Sequence, residues 1–151
     1  MTPEENIKKL NIILPKAPDP VGSYVASKIV GNFIYISGQV SFDLEGVLTK
    51  GKIGKDLSLE QGQEAAKLCA LNILAQLKKK CGSLDKVKGC VKLTGYVNSS
   101  DTFVDQPKII NGASNLISNI FGDNGKHTRA AVSVNSLPLG AAVEIDGIFE
   151  L

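Results

Sequence analysis

The hydrophobic positions between residues 58 and 82 repeat with the period of an α-helix. Ser58 followed by Gln61 is the capping-box signature of a helix start, and Gly82 after a run of lysines is typical of a helix end. The pattern predicts one long amphipathic helix. Its apolar stripe comprises Ala66, Cys69, Ile73 and Leu77.

Two further helices are predicted on either side of this one. Residues 2–5 (Thr-Pro-Glu-Glu) combine an N-cap with favoured first-turn residues, so a short helix should run to about Leu10. Apolar residues at helical spacing predict a second main helix over Phe103–Phe121, interrupted early by Pro107 and ended by the turn at 122–125.

Runs of β-branched and aromatic residues predict the strands. The segment 29–37, with Gly31-Asn32 as a turn, predicts a hairpin whose second strand extends from Phe33 to about Val40. Another strand is predicted over 87–97, and residues 127–151 predict two more around a Leu-Pro-x-Gly turn. That turn alone favours a simple hairpin at the C-terminus.

The composition indicates one ordinary globular domain. Of the 151 residues 43% are hydrophobic, yet no apolar run approaches the roughly 18–20 residues of a membrane span. The first residues lack the hydrophobic region of a signal peptide, so we expect a cytoplasmic protein that does not contact membranes. A net charge of +2 and an aromatic content of 5% argue against a nucleic-acid partner.

Metal binding is not expected either. The three cysteines have no paired spacing, and the chain has a single histidine, whereas a structural zinc site needs four ligands. Cys69 is interpreted as a small buried hydrophobe. His127, which lies beside a glycine-rich turn, is interpreted as a surface residue.

Two charged residues interrupt the apolar pattern of the last two strands. Arg129 opens Arg-Ala-Ala-Val-Ser-Val, and Glu144 lies within Ala-Ala-Val-Glu-Ile. Burying either charge is costly unless it is paired or used, so both are candidates for a site. Alternatively, Arg129, Glu144 and Asp146 occupy the solvated side of an antiparallel sheet. Ala131, which shares a face with Arg129, argues against this alternative.

Four sequence blocks occur in a fixed order between Pro20 and the C-terminus. They are Pro-Val-Gly-Ser-Tyr (20–24), Ile-Tyr-Ile-Ser-Gly-Gln (34–39), Arg-Ala-Ala-Val (129–132) and Leu-Pro-Leu-Gly-Ala-Ala-Val-Glu-Ile (137–145). Together they resemble the reactive intermediate/imine deaminase family, the RidA or YjgF-like proteins. No block is specific alone, but the combination is.

This resemblance implies an α+β fold of the chorismate-mutase-like type, in which a mixed sheet packs against two main helices. It implies that the final strand returns to pair with earlier strands. It also implies a homotrimer with sites in the clefts between subunits. Residues 1–151 then form a single RidA-like domain, with a short helical extension over about 1–19 that is typical of a longer subgroup.

The resemblance further implies hydrolysis of 2-enamine and 2-imine acids, such as 2-aminoacrylate, to 2-keto acids and ammonia, without a cofactor or metal. Arg129 and the backbone N–H of Gly38 would bind the substrate carboxylate, and Glu144 would orient and deprotonate the attacking water. The other expected substrate contacts come from Tyr24, Ser37, Asn111 and Ala131.

The chain departs from the commonest members of the family at several positions. Ala131 replaces a cysteine, residues 126–128 (Lys-His-Thr) replace an aromatic-proline segment, and the spacing from helix to strand leaves Ser114 as the alternative to Asn111. These differences keep Arg129 as the anchor for a carboxylate, but they change the shape of the pocket and so do not identify the substrate. The alternative function is a trimeric module that binds small carboxylates or a protein partner without turnover.

Overall fold

The computed structural model describes residues 1–151, and its central feature is a five-stranded β-sheet with helices packed on one face. The fold is therefore of the mixed α+β type. No helix combines the length and the hydropathy that crossing a bilayer requires. The helices are α1 (Pro3–Lys9), α2 (Leu59–Cys81) and α3 (Gln106–Phe121), and the strands are β1 (Ser27–Val30), β2 (Phe33–Val40), β3 (Gly89–Asn98), β4 (Thr128–Val134) and β5 (Val143–Glu150).

The last strand lies in the middle of the sheet. The strand order is β1-β2-β5-β3-β4, in which only β3 and β4 run parallel, connected through α3. The expected return of the final strand to earlier strands is confirmed. The simple C-terminal hairpin that the Leu-Pro-x-Gly turn suggests is wrong, because β5 finds backbone partners on both edges between β2 and β3.

The helix ends follow local sequence signals. Thr2 and Ser58 both form complete capping boxes, and Gly82 ends α2 in the left-handed region at φ 84°. However, α3 begins immediately before Pro107 and not at Phe103. The predicted interruption of the helix at Pro107 is therefore wrong. In the first turn of a helix the backbone N–H groups have no helical acceptor, so a proline there removes no hydrogen bond.

Strand β5 shows how the sheet separates two environments. Val143, Ile145 and Phe149 are fully buried on the side of the helices, whereas Glu144 and Asp146 point to the opposite face and are only partly buried. This alternation is the period of a strand with one face in the core. The carboxylates of β5 therefore belong to the face that no helix covers.

That open face of the sheet carries apolar side chains. Phe33 and Tyr35 project from β2 and Val132 from β4, and they are 38%, 45% and 45% exposed. These three side chains lie on different parts of a sheet face that no helix covers.

Helix α1 is attached to the rest of the fold through Glu4. One carboxylate oxygen accepts a hydrogen bond from the backbone N–H of Leu84 at 3.0 Å, and the other pairs with the ammonium of Lys78 at 3.0 Å. Burial alone would raise the pKa of this carboxyl. The bonds from Leu84 and Lys78 outweigh it, so the pKa of Glu4 is lowered.

We expect Glu4→Gln to lower the free energy of unfolding by about 1 kcal/mol at neutral pH, since a charge-assisted bond and an ion pair are lost. Because the folded-state pKa is depressed, this contribution is present above the unfolded-state pKa of Glu4 and disappears as the pH falls through the folded-state value. Urea unfolding at pH 7 and pH 3 measures it. Glu64→Gln, at an exposed position of α2, is the control, and equal losses in both variants would contradict the assignment.

Candidate functional site

An open cleft of about 820 Å³ lies on the uncovered face of the sheet, where β2 borders β5. It brings together four of the residues that the sequence nominates, although they are far apart in the chain. These residues are Tyr24, Ser37, Gly38 and Glu144.

A bulge in β2 forms one wall of this cleft. The register between β2 and β5 shifts between Ile36 and Gln39, so Ser37 and Gly38 have no partner in the ladder. The hydroxyl of Ser37 donates to the carbonyl of Val25 at 2.6 Å and holds the segment before β1 against the bulge. The N–H of Ser37 donates to the carbonyl of Ala26, and its carbonyl accepts from the amide of Gln39. Gly38 is therefore the bulge residue whose backbone is a candidate for contact with a ligand.

Position 38 requires a glycine because its backbone lies close to the carboxylate of Glu144. A Cβ atom at position 38 would lie 2.7 Å from Oε1 of Glu144 and 3.0 Å from its Cδ. No side chain other than hydrogen fits there unless the carboxylate moves. The cleft therefore has a defined place for this carboxylate.

The electrostatics of the cleft make Glu144 harder to ionise than a free glutamate. Burial raises the pKa of Glu144, and the negative charge of Asp146, two residues along the same face of β5, raises it further. Burial also raises the pKa of Asp146, against the hydrogen bond from the Tyr96 hydroxyl at 3.3 Å and the charge of Lys92. A carboxyl group whose pKa is shifted toward neutrality is suited to proton transfer.

Arg129 lies elsewhere, on the side of β4 that faces α3. Its Nη1 donates to Oδ1 of Asn111 at 2.8 Å and to Oγ of Ser114 at 3.1 Å, and its Nη2 donates to the carbonyl of Pro107 at 3.4 Å. Arg129 pairs in register with the fully buried Leu93, so the alternative that places it on the solvated side is wrong for Arg129. For Glu144 and Asp146 that alternative describes the correct face, since both lie partly exposed on the uncovered side of the sheet. Asn111 and Ser114, considered as alternatives from the sequence, both hold the guanidinium.

Two further residues adjoin Arg129. Ala131 follows on the same face of β4, opposite Gly95. His127 is half-buried and in contact with Ser114 and with the carbonyl of Gly125, so its interpretation as a surface residue is wrong. A lone histidine before a strand carries no sequence signal for such a contact. Only its spacing from Arg129, two residues along an extended segment, could have suggested it.

Within one chain the two groups of candidate residues lie on opposite faces of the sheet. Arg129 and Leu93 share the face of the helices, whereas Glu144 pairs with Tyr96 on the open face. Leu93 and Tyr96 are three residues apart on one strand and so point in opposite directions. We call the cluster of Arg129, Asn111, Ser114 and His127 the guanidinium half-site, and the cleft around Glu144 the carboxylate half-site.

The remaining polar chemistry of the molecule adds no metal site. No group of three or more histidine, cysteine, aspartate or glutamate side chains is close enough to hold an ion. Cys69 is fully buried, which confirms its interpretation as a core residue, and burial raises the pKa of its thiol well above the ordinary value.

Comparisons with known proteins agree with this architecture. Residues 5–150 match the family described as "YjgF/chorismate_mutase-like, putative endoribonuclease". Protein TCP17 of Trypanosoma cruzi is 43% identical over 147 residues, which is 97% of this chain and 92% of that protein. The 2-iminobutanoate/2-iminopropanoate deaminase of Rattus norvegicus is 31% identical over 134 residues, 88% of this chain and 83% of that protein.

Solved structures give the same result at the level of the fold. A "putative endoribonuclease" from Shewanella oneidensis superposes with a TM-score of 0.96 at 32% identity and covers 100% of both chains. RidA from the Antarctic bacterium Psychrobacter sp. superposes with a TM-score of 0.61 at 28% identity, over 90% of this chain and 94% of that one.

Proposed function

The chain belongs to the YjgF/chorismate-mutase-like family, and we propose that it hydrolyses reactive 2-enamine and 2-imine acids of the 2-aminoacrylate type to 2-keto acids and ammonia. The observation that carries this proposal is that one chain holds a guanidinium with free donors, Arg129, and, on the opposite face of the sheet, a cleft carboxyl, Glu144, that approaches the backbone of Gly38. The name of the rat relative, an imine deaminase, supports the reaction class.

Arg129 is the anchor for the substrate carboxylate. A guanidinium has five N–H donors, and the protein uses both donors of Nη1 and one of Nη2. The N–H of Nε and one N–H of Nη2 remain for the substrate. They match the two oxygens of a carboxylate, the arrangement that gives strong and geometrically specific binding.

Glu144 activates the water. An enamine substrate first tautomerises to the imine. Water then adds to the carbon of the protonated imine while Glu144 takes one proton of the water, which forms a neutral carbinolamine. Glu144 returns that proton to the nitrogen. The carbon–nitrogen bond then breaks as the carbinolamine hydroxyl gives its own proton to Glu144, leaving a 2-keto acid and ammonia. The N–H of Gly38 binds the substrate carboxylate together with Arg129. Tyr24 covers the substrate, Ser37 lines its pocket and the backbone of Ala131 contacts the imine end. Imines hydrolyse readily, so positioning suffices and no cofactor is required.

A homotrimer completes the site. The guanidinium and carboxylate half-sites face away from each other in one chain, so they can act together only if the guanidinium half-site of one subunit meets the carboxylate half-site of the next. Three such contacts close a ring. The exposed apolar side chains of Phe33, Tyr35 and Val132 support an interface on the open face. Sedimentation equilibrium tests this, and a stable monomer at micromolar concentration would contradict it.

The decisive experiment is a coupled assay in which a dehydratase generates 2-aminoacrylate or its four-carbon homologue. Keto-acid release is followed while semicarbazide traps free imine. Acceleration of release by the wild type, with less trapped imine, supports the deaminase. No acceleration, together with measurable binding of 2-ketobutyrate, favours the binding module. Cleavage of a labelled RNA in place of either result would favour the activity that the family description names.

We expect Gly38→Ala to lower kcat about 10- to 100-fold, because the added methyl group displaces the Glu144 carboxylate and a small misplacement of a catalytic group is costly. Gly38 does not require a positive φ, so the fold should be retained. The assay above and a thermal melt measure the two effects. Gly31→Ala is the control: position 31 has a φ of 59° and open space around it, so that variant should lose stability but keep the rate. The opposite pattern would contradict this role for Gly38.

A further inference from the structure

The guanidinium half-site contains a chain of hydrogen bonds that ends at the only histidine of the protein. Nδ1 of His127 lies 2.6 Å from the carbonyl oxygen of Gly125, and Nε2 lies 2.9 Å from Oγ of Ser114. The same Oγ accepts from Nη1 of Arg129 at 3.1 Å. His127, Ser114 and Arg129 are therefore linked in series.

Only one arrangement of hydrogen atoms satisfies this chain around a neutral imidazole. The carbonyl of Gly125 can only accept, so Nδ1 carries the hydrogen and Nε2 presents its lone pair. The hydroxyl of Ser114 must then donate to Nε2, which leaves its own lone pairs for Arg129. The other tautomer would set two lone pairs against each other between Nδ1 and the carbonyl.

The backbone holds all three participants in place. Gly125 approaches α3 so closely that a Cβ atom there would lie 2.6 Å from the carbonyl oxygen of Ile117. Asn111 and Ser114 lie three residues apart and so share one face of α3. His127 and Arg129, two residues apart in extended chain, point the same way. The residues of this hydrogen-bond chain therefore come from the turn before β4, from helix α3 and from the edge strand β4.

We propose that His127 is a positioning residue for the carboxylate anchor. By accepting from Ser114 it keeps the hydroxyl hydrogen away from Arg129, so Ser114 acts only as an acceptor for Nη1. The guanidinium is then fixed through Nη1, while Nε and one N–H of Nη2 remain for the substrate carboxylate. This inference rests on Arg129 as the anchor of the proposed function, but its first test requires no turnover.

That first test is the tautomer of His127. Because the chain has a single histidine, ¹⁵N labelling gives one unambiguous pair of ring signals. When the imidazole of His127 is neutral, we expect the Nδ1–H tautomer, which is the less common form of a free imidazole. We further expect saturating 2-ketobutyrate to shift the Nε2 signal in the wild type but not in Ser114→Ala. An Nε2–H tautomer, or equal shifts in both proteins, would overturn the proposal.

The second test separates binding from chemistry. In the dehydratase-coupled assay we expect His127→Ala to raise KM roughly fivefold with kcat nearly unchanged, because the anchor binds the ground state and the transition state alike. His127→Gln should restore most of the affinity, since its amide oxygen can take the place of Nε2 as the acceptor. Lys126→Ala, at the exposed neighbouring position, is the control.

The possible failures are distinguishable. An active wild type whose KM is unchanged by His127→Ala would overturn the role of His127 and leave the deaminase in place. A wild type that neither turns over imine nor binds 2-ketobutyrate would remove the proposed function and the positioning role together.

Discussion

Replacing Arg129 with lysine is expected to lower kcat/KM at least about 100-fold while the protein stays folded. The guanidinium donates to Asn111 and Ser114 through Nη1 and keeps other donors for the substrate. An ammonium is a single point with three donors. It cannot satisfy both protein acceptors and also grip a carboxylate with two parallel bonds. Steady-state rates in the coupled assay and a thermal melt measure the two outcomes.

The neighbours of Arg129 provide graded controls for this prediction. Asn111→Ala removes one of the acceptors on Nη1 and leaves Ser114 in place, so its effect on kcat/KM should be about tenfold and should appear mainly in KM. Arg129 is on an edge strand and only partly buried, so neither change disturbs the core. A lysine variant with the wild-type KM would show that Arg129 does not hold the carboxylate.

Features of the fold that depend on neighbouring residues could be predicted from the sequence. The capping boxes at Thr2 and Ser58 and the hairpin at Gly31 each involve residues within a few positions, so their chemistry is visible in the sequence. Long-range pairing is different. The Leu-Pro-x-Gly turn before β5 has the signals of a hairpin, yet β5 pairs with β2 and β3. Only the family resemblance indicated that return.

The candidate site shows the same division. Alternation along the last strands grouped Arg129 with Ala131 and Glu144 with Asp146 correctly. It left open which face is buried, and it could not relate the two strands, because β3 lies between them. The spacing from helix to strand presented Asn111 and Ser114 as alternatives for one role. On a helix, residues three apart share a face, so both reach the guanidinium. Alternation places His127 on the face of Arg129, but a single histidine beside a glycine-rich turn gives no signal of its contact with Ser114.

Replacing Glu144 with glutamine should separate catalysis from binding most clearly. We expect kcat to fall at least about 100-fold, the ordinary contribution of a positioned general base, with the affinity for 2-ketobutyrate unchanged. The pKa of Glu144 is raised in the folded protein, so folding favours its protonated form. The stability associated with that form is present below the unfolded-state pKa and lost as the pH rises through the folded-state value. A neutral glutamine should therefore not lower the melting temperature at pH 7. A loss of rate without a loss of stability is the expected signature of a functional carboxyl.

The dependence of the rate on pH tests why the pKa of Glu144 is raised. The base must be ionised, so the rate should fall as the pH decreases through the pKa of Glu144. Burial and the charge of Asp146 both raise that pKa. Asp146→Asn removes only the second cause, so the acid limb of the wild-type profile should move to lower pH without reaching the position expected of a free glutamate. A limb that stays in place would mean that another group titrates. A Glu144→Gln variant that keeps the full rate would leave Arg129 as a binding residue only and would favour the non-catalytic module.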